Sequence, residues 1–175
     1  MTRLYKSLRH IVAGFLVGAL CALPAAAEEP LLAFDSLNPE TALEIAQAAL
    51  GSCRDDGYQV AVAVVDRSGI VQVLLRDRFA GPHTPETARR KAWTAVSFRS
   101  DTLSLAADMT PDSPQSGARF IDQALMIGGG IPIMVSGSLV GGVGISGGPS
   151  GTADHGCAQA GINAAIDELE LASGN

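Results

Sequence analysis

Histidine and cysteine are scarce in this chain, which excludes several classes of chemistry. The 175 residues contain three of each, and one of each lies within the first 27 residues. The remaining residues, His83, His155, Cys53 and Cys157, form no CxxC motif and no nearby His/Cys cluster of the kind that binds zinc. No GxSxG motif marks a catalytic serine either. No catalytic constellation is therefore readable, and binding without turnover is favoured over an enzymatic function.

Basic residues are the second shortage. The chain has 12 Lys and Arg against 18 Asp and Glu, and three of the basic residues lie within the first nine positions. Removing those three leaves 9 basic against 18 acidic residues, a net charge of −9. Nucleic acids and anionic membrane surfaces both need a basic face, so neither is expected as a partner.

Long apolar runs are absent from the sequence except near its start. Basic residues precede an apolar stretch over 11–23, and three alanines, 25–27, stand just before Glu28. This pattern is typical of a secretory signal peptide and is too short and wrongly flanked for a stable transmembrane span. We therefore expect a signal peptide over 1–27, cleavage near Ala27, and a periplasmic or secreted protein without membrane anchoring.

The remaining 148 residues, 28–175, suit one domain with one core. We expect a flexible N-terminal segment over 28–37 and a single domain over 38–172. Asn38 and Pro39 form a strong helix start, as N-cap and first helical residue. Periodicity and turn signals predict, in order, a helix from 38 to about 54, strands over 60–66 and 70–76, a helix capped at Thr84, a short helix capped by Ser100 or Asp101, a hairpin over 131–146 that turns at Gly137-Ser138, and a helix over 153–171.

This order of elements predicts an α+β fold. The antiparallel sheet is built from two hairpins, and the first and last helices pack side by side on one face. If these helices run antiparallel, the end of the first lies near the start of the last, which brings Cys53 towards Cys157. An even cysteine count in an exported chain also favours a disulfide. Two buried free thiols remain the alternative.

Glycines cluster in the predicted second hairpin and around it. Gly128-Gly129-Gly130 leads into a strand, whereas nucleotide-binding loops follow a strand and open a helix. The run 144–151 lies between a strand and a helix but lacks the P-loop lysine. Nucleotide binding is therefore not expected. Gly141, Gly142 and Gly144 interrupt a strand, where glycine often marks a bulge or the close approach of a backbone or ligand.

His83 lies between Pro82 and Pro85, directly before a predicted helix. Two interpretations are open: a stiff turn with a capping or solvated histidine, or a loop that presents an imidazole to a ligand. His155, in the first turn of the last helix, is expected to face solvent. The cluster of basic residues over 89–91 is interpreted as a solvated helix face, with an anion site as the alternative.

Four segments together resemble one known family. They are the hairpin VAVAVVDRSGIVQVLLRDRFAG, the helix ARRKAWTAVSF, the glycine-rich hairpin GGGIPIMVSGSLVGGVGISGG and the final helix ADHGCAQAGINAAI. Over about residues 38–170 the chain resembles the GlcG/HbpS-like haem-binding family, a module that is also the C-terminal domain of PduO-type corrinoid adenosyltransferases. The glycine-rich hairpin, Gly129 to Gly148, is the most specific part of the resemblance.

The resemblance implies an α+β domain that binds haem, assembles into a homo-oligomer, and buffers, relays or senses haem, in some members for a sensor or redox partner. His83 is the candidate ligand of the haem iron, because a neutral imidazole is the commonest protein ligand for it. Arg89 and Arg90 are candidate partners of the haem propionates through charge-assisted hydrogen bonds. The strand glycines are interpreted as room for a neighbouring subunit, or else for the macrocycle.

Other functions remain open at this point. The ligand of a binding module would alternatively be a corrinoid or a small organic acid. Members of the family have also been labelled haem-degrading, but no cleavage machinery is readable in this sequence. An enzyme with an acidic or metal site would have to use Asp66, Asp77 and His83 around the first hairpin. The three methionines beyond the leader are interpreted as core-filling residues rather than soft-metal ligands, and a purely structural assembly subunit is the last alternative.

Overall fold

The computed structural model describes residues 31–173. The chain divides into two units, 1–33 and 34–175, and the helices and strands given below belong to the second. The predicted signal peptide over 1–27 lies outside the described residues. Within residues 31–173, no helix combines the length and the hydropathy that crossing a membrane requires.

The α-helices and strands follow one another in the order that the sequence predicts, and a 3₁₀ helix lies in the stretch 99–127, which the sequence left without a secure assignment. They are α1 (Pro39–Asp55), β1 (Ala61–Asp66), β2 (Val71–Arg76), α2 (Thr84–Phe98), α3 (Thr102–Asp108), a 3₁₀ helix (Ser116–Phe120), β3 (Gly130–Val135), β4 (Ser138–Ser146) and α4 (Gly151–Ser173). The strands form one antiparallel sheet in the order β2-β1-β4-β3. The predicted α+β fold with a sheet of two hairpins is confirmed.

Helices α1 and α4 pack side by side on one face of the sheet, as predicted. They approach closely at Gly161, where a Cβ atom would lie 2.7 Å from both the Ala49 Cβ and the Ile45 carbonyl oxygen. Cys53 and Cys157 form a disulfide between the two helices, with their Cα atoms 5.4 Å apart. Both cysteines are buried in the main core. The crosslink therefore joins the last turn of α1 to the beginning of α4 within this core.

Helix α2 lies on the opposite face of the sheet and comes very close to β3 and β4. A Cβ atom on Gly144 would lie 2.1 Å from the Ala88 oxygen and 2.6 Å from the Ala92 nitrogen, and one on Gly130 would lie 2.3 Å from the Lys91 oxygen. Non-bonded carbon atoms normally stay about 3.5–4.0 Å apart, so a side chain at either position would displace the helix. Gly130 and Gly144 therefore make room for α2 of the same chain, and Gly142 faces Val96 and Ala92 of the same helix. Gly141 packs instead against the Leu37 side chain and the Val65 oxygen. The strand glycines predicted to make room for a neighbouring subunit or a macrocycle, Gly141, Gly142 and Gly144, thus accommodate parts of this chain.

Two turns differ by one residue from their predicted positions. The second hairpin turns at Ser136-Gly137, where φ is 47° and 80°, instead of at Gly137-Ser138. Two successive positive φ values suit a two-residue hairpin, because this turn matches the twist of the flanking strands. Helix α2 begins at Thr84 with His83 in the N-cap position, although the His83 side chain makes no capping hydrogen bond.

The segment before α1 is anchored to the sheet from Leu37 onwards. The Leu37 N–H donates to the Val140 oxygen at 3.1 Å, and the Leu37 side chain is buried. Asn38 then caps α1, because its Oδ1 accepts from the Thr41 N–H at 2.8 Å. Leu37, which the prediction placed in the N-terminal segment 28–37, is therefore packed on the sheet.

Candidate functional site

A cleft of about 770 Å³ opens between the beginning of α2 and the beginning of α4. One wall is the loop over 79–83 with the first turns of α2, and the other is the turn over 146–150 with the first turn of α4. Tyr58, Phe79 and Ile127 add apolar surface to the lining. Cofactor sites are typically about 300–1,000 Å³ in volume and largely apolar, so the size of this cleft suits an organic cofactor.

His83 lines the cleft. Hydrogen bonds hold the backbone around it, whereas its imidazole makes no hydrogen bond to the described residues. The Thr84 N–H donates to the Gly81 oxygen at 3.0 Å, and the Thr87 N–H donates to the His83 oxygen at 3.1 Å. The ring lies over Gly81, where a Cβ atom would stand 2.7 Å from the imidazole Cε1. The imidazole has no hydrogen-bond partner among residues 31–173, so its nitrogens are available to a ligand in the cleft.

The carboxylates proposed for an acidic or metal-dependent enzyme have structural partners instead. Asp77 is buried, accepts from Arg54 Nε at 3.0 Å, and donates its N–H to the Val60 oxygen at 2.9 Å. Asp66 Oδ1 accepts from the Ser68 N–H at 2.8 Å within the first hairpin turn. Neither aspartate lines the cleft, and within residues 31–173 no three His, Cys, Asp or Glu side chains form a metal-binding group.

The structure does not place Arg89 and Arg90 in the cleft with His83. Arg89 pairs with Glu86 through two hydrogen bonds of 2.8 Å, and this guanidinium is the main reason that the pKa of Glu86 is lowered. Arg90 donates to the backbone oxygens of Gln123 (3.2 Å) and Ala124 (2.8 Å). Both guanidinium groups therefore hold the structure around α2, and neither reaches the cleft lining where it would meet a propionate.

Lys91 is the basic residue of this run that does line the cleft, and its side chain is only 2 % exposed. Its Nζ donates to Asp154 Oδ2 at 2.7 Å and to the Ile145 oxygen at 2.8 Å. The other carboxylate oxygen, Asp154 Oδ1, accepts from the Gly148 N–H at 2.8 Å. A buried ion pair therefore links α2, the end of β4 and the start of α4 at the base of the cleft.

The Gly128–Gly130 motif packs against this ion pair. Gly129 has a φ of +118°, and a Cβ atom there would lie 2.6 Å from the Asp154 Cβ and 3.0 Å from Lys91 Nζ. A Cβ atom on Gly128 would lie 2.9 Å from the Gly151 oxygen. The glycines let the chain pass beside the ion pair and the start of α4, a packing role unrelated to phosphate binding.

Sequence reasoning missed the ion pair, although helical spacing contains a signal for it. Lys91 lies three residues after Ala88 and four before Ala95, so it belongs to the same buried face of α2. Asp154 lies three residues before Cys157 on the buried face of α4. The interpretation of 89–91 as a solvated face therefore fails at Lys91, because a lysine on an apolar stripe must be buried and needs a partner.

His155 is partly buried, whereas the sequence predicted that it would face solvent. Its side chain is 27 % exposed, and its Nδ1 lies 3.9 Å from Asp101 Oδ1. This nitrogen is buried and makes no hydrogen bond within the described residues. Burial disfavours the Asp101 carboxylate, but hydrogen bonds from the Ser104 N–H and Oγ, together with the His155 charge, outweigh it and lower the pKa of Asp101.

The methionines divide between a small core and the surface. Met126 is buried with Leu105 and Ala124 in a small cluster beneath α2, and Met109 packs against that cluster. Met134 is 40 % exposed on the edge strand β3. The first two residues therefore fill the core as predicted, whereas Met134 lies at the surface.

The comparisons with known proteins agree with the fold. Residues 37–163 match the model of a family described as "Haem degrading protein HbpS-like". The chain belongs to the HbpS-like family. The match includes the loop of His83, the whole sheet and the start of α4, so the cleft described above lies within the family domain.

Two solved structures resemble the chain over most of its length. The HbpS double mutant of Streptomyces reticuli is 38% identical, covers 81% of this chain and 96% of that one, and has a TM-score of 0.73. A PduOC–haem complex is 30% identical over 74% of this chain and 94% of that one, with a TM-score of 0.68. The corrinoid adenosyltransferase PduO of Citrobacter freundii is 31% identical over 126 residues. That match spans 71% of this chain but only 37% of the relative.

Proposed function

We propose that this protein binds haem in the cleft between α2 and α4, where the His83 imidazole would hold the iron. The observation that carries the proposal is the His83 imidazole, which has a fixed backbone, no hydrogen-bond partner among the described residues, and a position in a cleft of about 770 Å³. Membership of the HbpS-like family and the similarity to a haem complex of PduOC support haem as the ligand.

The residues of the cleft fit a large, flat, mainly apolar ligand with carboxylates. Phe79 is 79 % exposed and Ile127 is 48 % exposed, so each has apolar surface for a ligand to cover. Complete burial of a fully exposed side chain of this kind contributes about 1.5–3 kcal/mol, and the gain here is the corresponding part of that. The amino end of α4 forms part of the opposite wall, and a helix N-terminus favours a carboxylate. In this site His83 would hold the iron, the apolar residues would cover the macrocycle, and the α4 end would receive a propionate. Bound haem supplies an iron centre for electron transfer or for binding of small ligands.

We further propose that the protein is exported and works as a homo-oligomer that buffers or relays haem, or senses it for a partner protein. Two features support export: the signal-peptide pattern over 1–27 and the disulfide between Cys53 and Cys157, since disulfides persist in oxidising compartments. The openness of the cleft to solvent at Phe79 supports exchange of the ligand over permanent enclosure. Size measurements with and without haemin, and haem transfer to an apo-globin, test these roles.

Haemin titration of the purified mature protein, followed by absorption, tests the binding site. We expect a saturable, sharpened Soret band for the wild type and at least a tenfold weaker affinity for His83→Ala, equivalent to about 1.4 kcal/mol. His155→Ala is the matched control, because His155 lies outside the cleft lining, and it should bind as the wild type does.

Each other outcome has a definite meaning. A Soret band that is unchanged in His83→Ala would keep haem as the ligand but refute His83 as its axial residue. No saturable band in the wild type would refute haem binding and favour a corrinoid or a small organic acid, to be tested by thermal stabilisation with each. Loss of the band under a mild reductant in air would favour haem degradation over storage.

A further inference from the structure

We propose that Lys91 and Asp154 are positioning residues for the ligand site, because their buried ion pair sets the separation of the two cleft walls. This inference rests on the proposed haem-binding function and extends it to residues that do not ligate the iron. It assigns a role to the one strongly buried lysine of the described chain, which the fold alone does not explain.

The pair connects the two walls directly. Thr84, Thr87 and Lys91 follow at spacings of three and four on one face of α2, and all three line the cleft. Across the cleft, Asp154 uses one carboxylate oxygen for Lys91 and the other for the Gly148 N–H, at 2.7 and 2.8 Å. A shift of α2 relative to the 146–150 turn would therefore break a charged hydrogen bond on at least one side.

Stability alone is a weak reason for such a pair. The side chains are 2 % and 5 % exposed, and the desolvation of two buried charges offsets much of their attraction, so apolar replacements are often as stable. Charge-assisted hydrogen bonds are, however, short and directional. They restrict the position of α2 relative to the 146–150 turn more closely than apolar contacts of the same area would. Because His83 is the N-cap residue of α2, fixing the helix also fixes the position of His83.

The test compares Lys91→Met, the double variant Lys91→Met/Asp154→Asn, and the control Glu86→Gln. The double variant removes both charges and keeps an oxygen for the Gly148 N–H, so it is expected to fold even where the single variant does not. The control removes one partner of an exposed ion pair on the same helix, outside the cleft. All are first studied without haem, by hydrogen exchange of the 146–151 peptide.

We expect amide exchange in 146–151 to be at least tenfold faster in the double variant and unchanged in Glu86→Gln. With haemin, the double variant should bind at least tenfold more weakly, with a shifted Soret band, while its urea midpoint stays close to that of the wild type. Wild-type exchange together with wild-type affinity in the double variant would overturn the inference.

A thermodynamic cycle with His83→Ala separates positioning from direct contact. If the ion pair acts through His83, adding the double substitution to His83→Ala should change the haemin Kd by less than threefold. A full tenfold loss in that background would overturn a role in positioning His83. If the wild type binds no haemin, the proposed function fails by itself, and the exchange rates in the haem-free protein still decide whether the pair fixes the cleft wall.

Discussion

Removing the Cys53–Cys157 disulfide should strongly lower the free energy of unfolding of the domain while leaving the residues of the cleft in place. The crosslink closes a loop with a sequence separation of 104 residues. The loss of unfolded-chain entropy on closing a loop of this length corresponds to about 4.7 kcal/mol of stabilisation at 25 °C. Since small domains are stable by only about 5–15 kcal/mol, reduction should bring this domain near the limit of folding.

The experiment compares three samples: the oxidised wild type, the wild type in reductant, and Cys53→Ala/Cys157→Ala. Urea unfolding followed by circular dichroism gives the free energy of unfolding and its dependence on urea. We expect a loss of about 3–5 kcal/mol on reduction and a steeper urea dependence, because the unlinked unfolded chain exposes more surface. The alanine variant should lose about 1 kcal/mol more for each buried sulfur atom removed.

Two results would refute this reasoning. A loss below about 1 kcal/mol on reduction would show that the crosslink does not restrict the unfolded state as the loop-entropy model requires. Alkylation of both thiols in the untreated protein, seen as a mass increase without reductant, would show that Cys53 and Cys157 are free. The second result would also remove one of the two supports for export.

Two further predictions concern the packing at Gly144 and the cap of α3, and each has a control variant. Gly144→Ala should destabilise the domain by about 3 kcal/mol or more, since the new methyl group meets the Ala88 backbone. The control Gly156→Ala, with no atom within 4 Å of the new group, should stabilise α4 by about 0.5–1 kcal/mol. Equal losses of stability in the thermal unfolding of both variants would contradict the close approach of α2 to Gly144. Asp101→Ala should cost about 1 kcal/mol through loss of the α3 N-cap. Because folding lowers the pKa of Asp101, its contribution is present above the unfolded-state value of about 3.9 and is lost as the pH falls through the folded value. Urea unfolding of Asp101→Asn, which still caps, should therefore lack this part of the acid dependence, and an unchanged pH profile would argue against it.

The local structure of this protein could be predicted from short sequence patterns. Asn38-Pro39 starts α1 because an N-cap side chain and a proline satisfy the free N–H groups of a helix end locally. The β-branched run before Asp66 forms a strand for an equally local reason. Even the pairing of Cys53 with Cys157 followed from the element order, since antiparallel neighbouring helices bring those positions together.

The roles of the strand glycines and of the basic residues 89–91 became clear only from the tertiary structure. No residue near Gly144 in the sequence explains why a glycine is needed there. The Ala88 oxygen that excludes a side chain lies 56 positions earlier in the chain. Arg89, Arg90 and Lys91 are neighbours of the same charge, yet the turn of one helix directs Lys91 alone to the cleft and to Asp154, 63 positions away.

The sequence by itself therefore determined most of the helices and strands and their order, because each depends on hydrogen bonds and torsions between near neighbours. His83 became a candidate for a different reason: the family resemblance and the chemistry of imidazole. The cleft, the ion pair at its base and the exclusion of Arg89 and Arg90 from it depend on which faces of α2 and α4 meet. That is a question of packing between residues far apart in the chain, and a buried charge finds its partner only when the two helices have been brought onto the sheet.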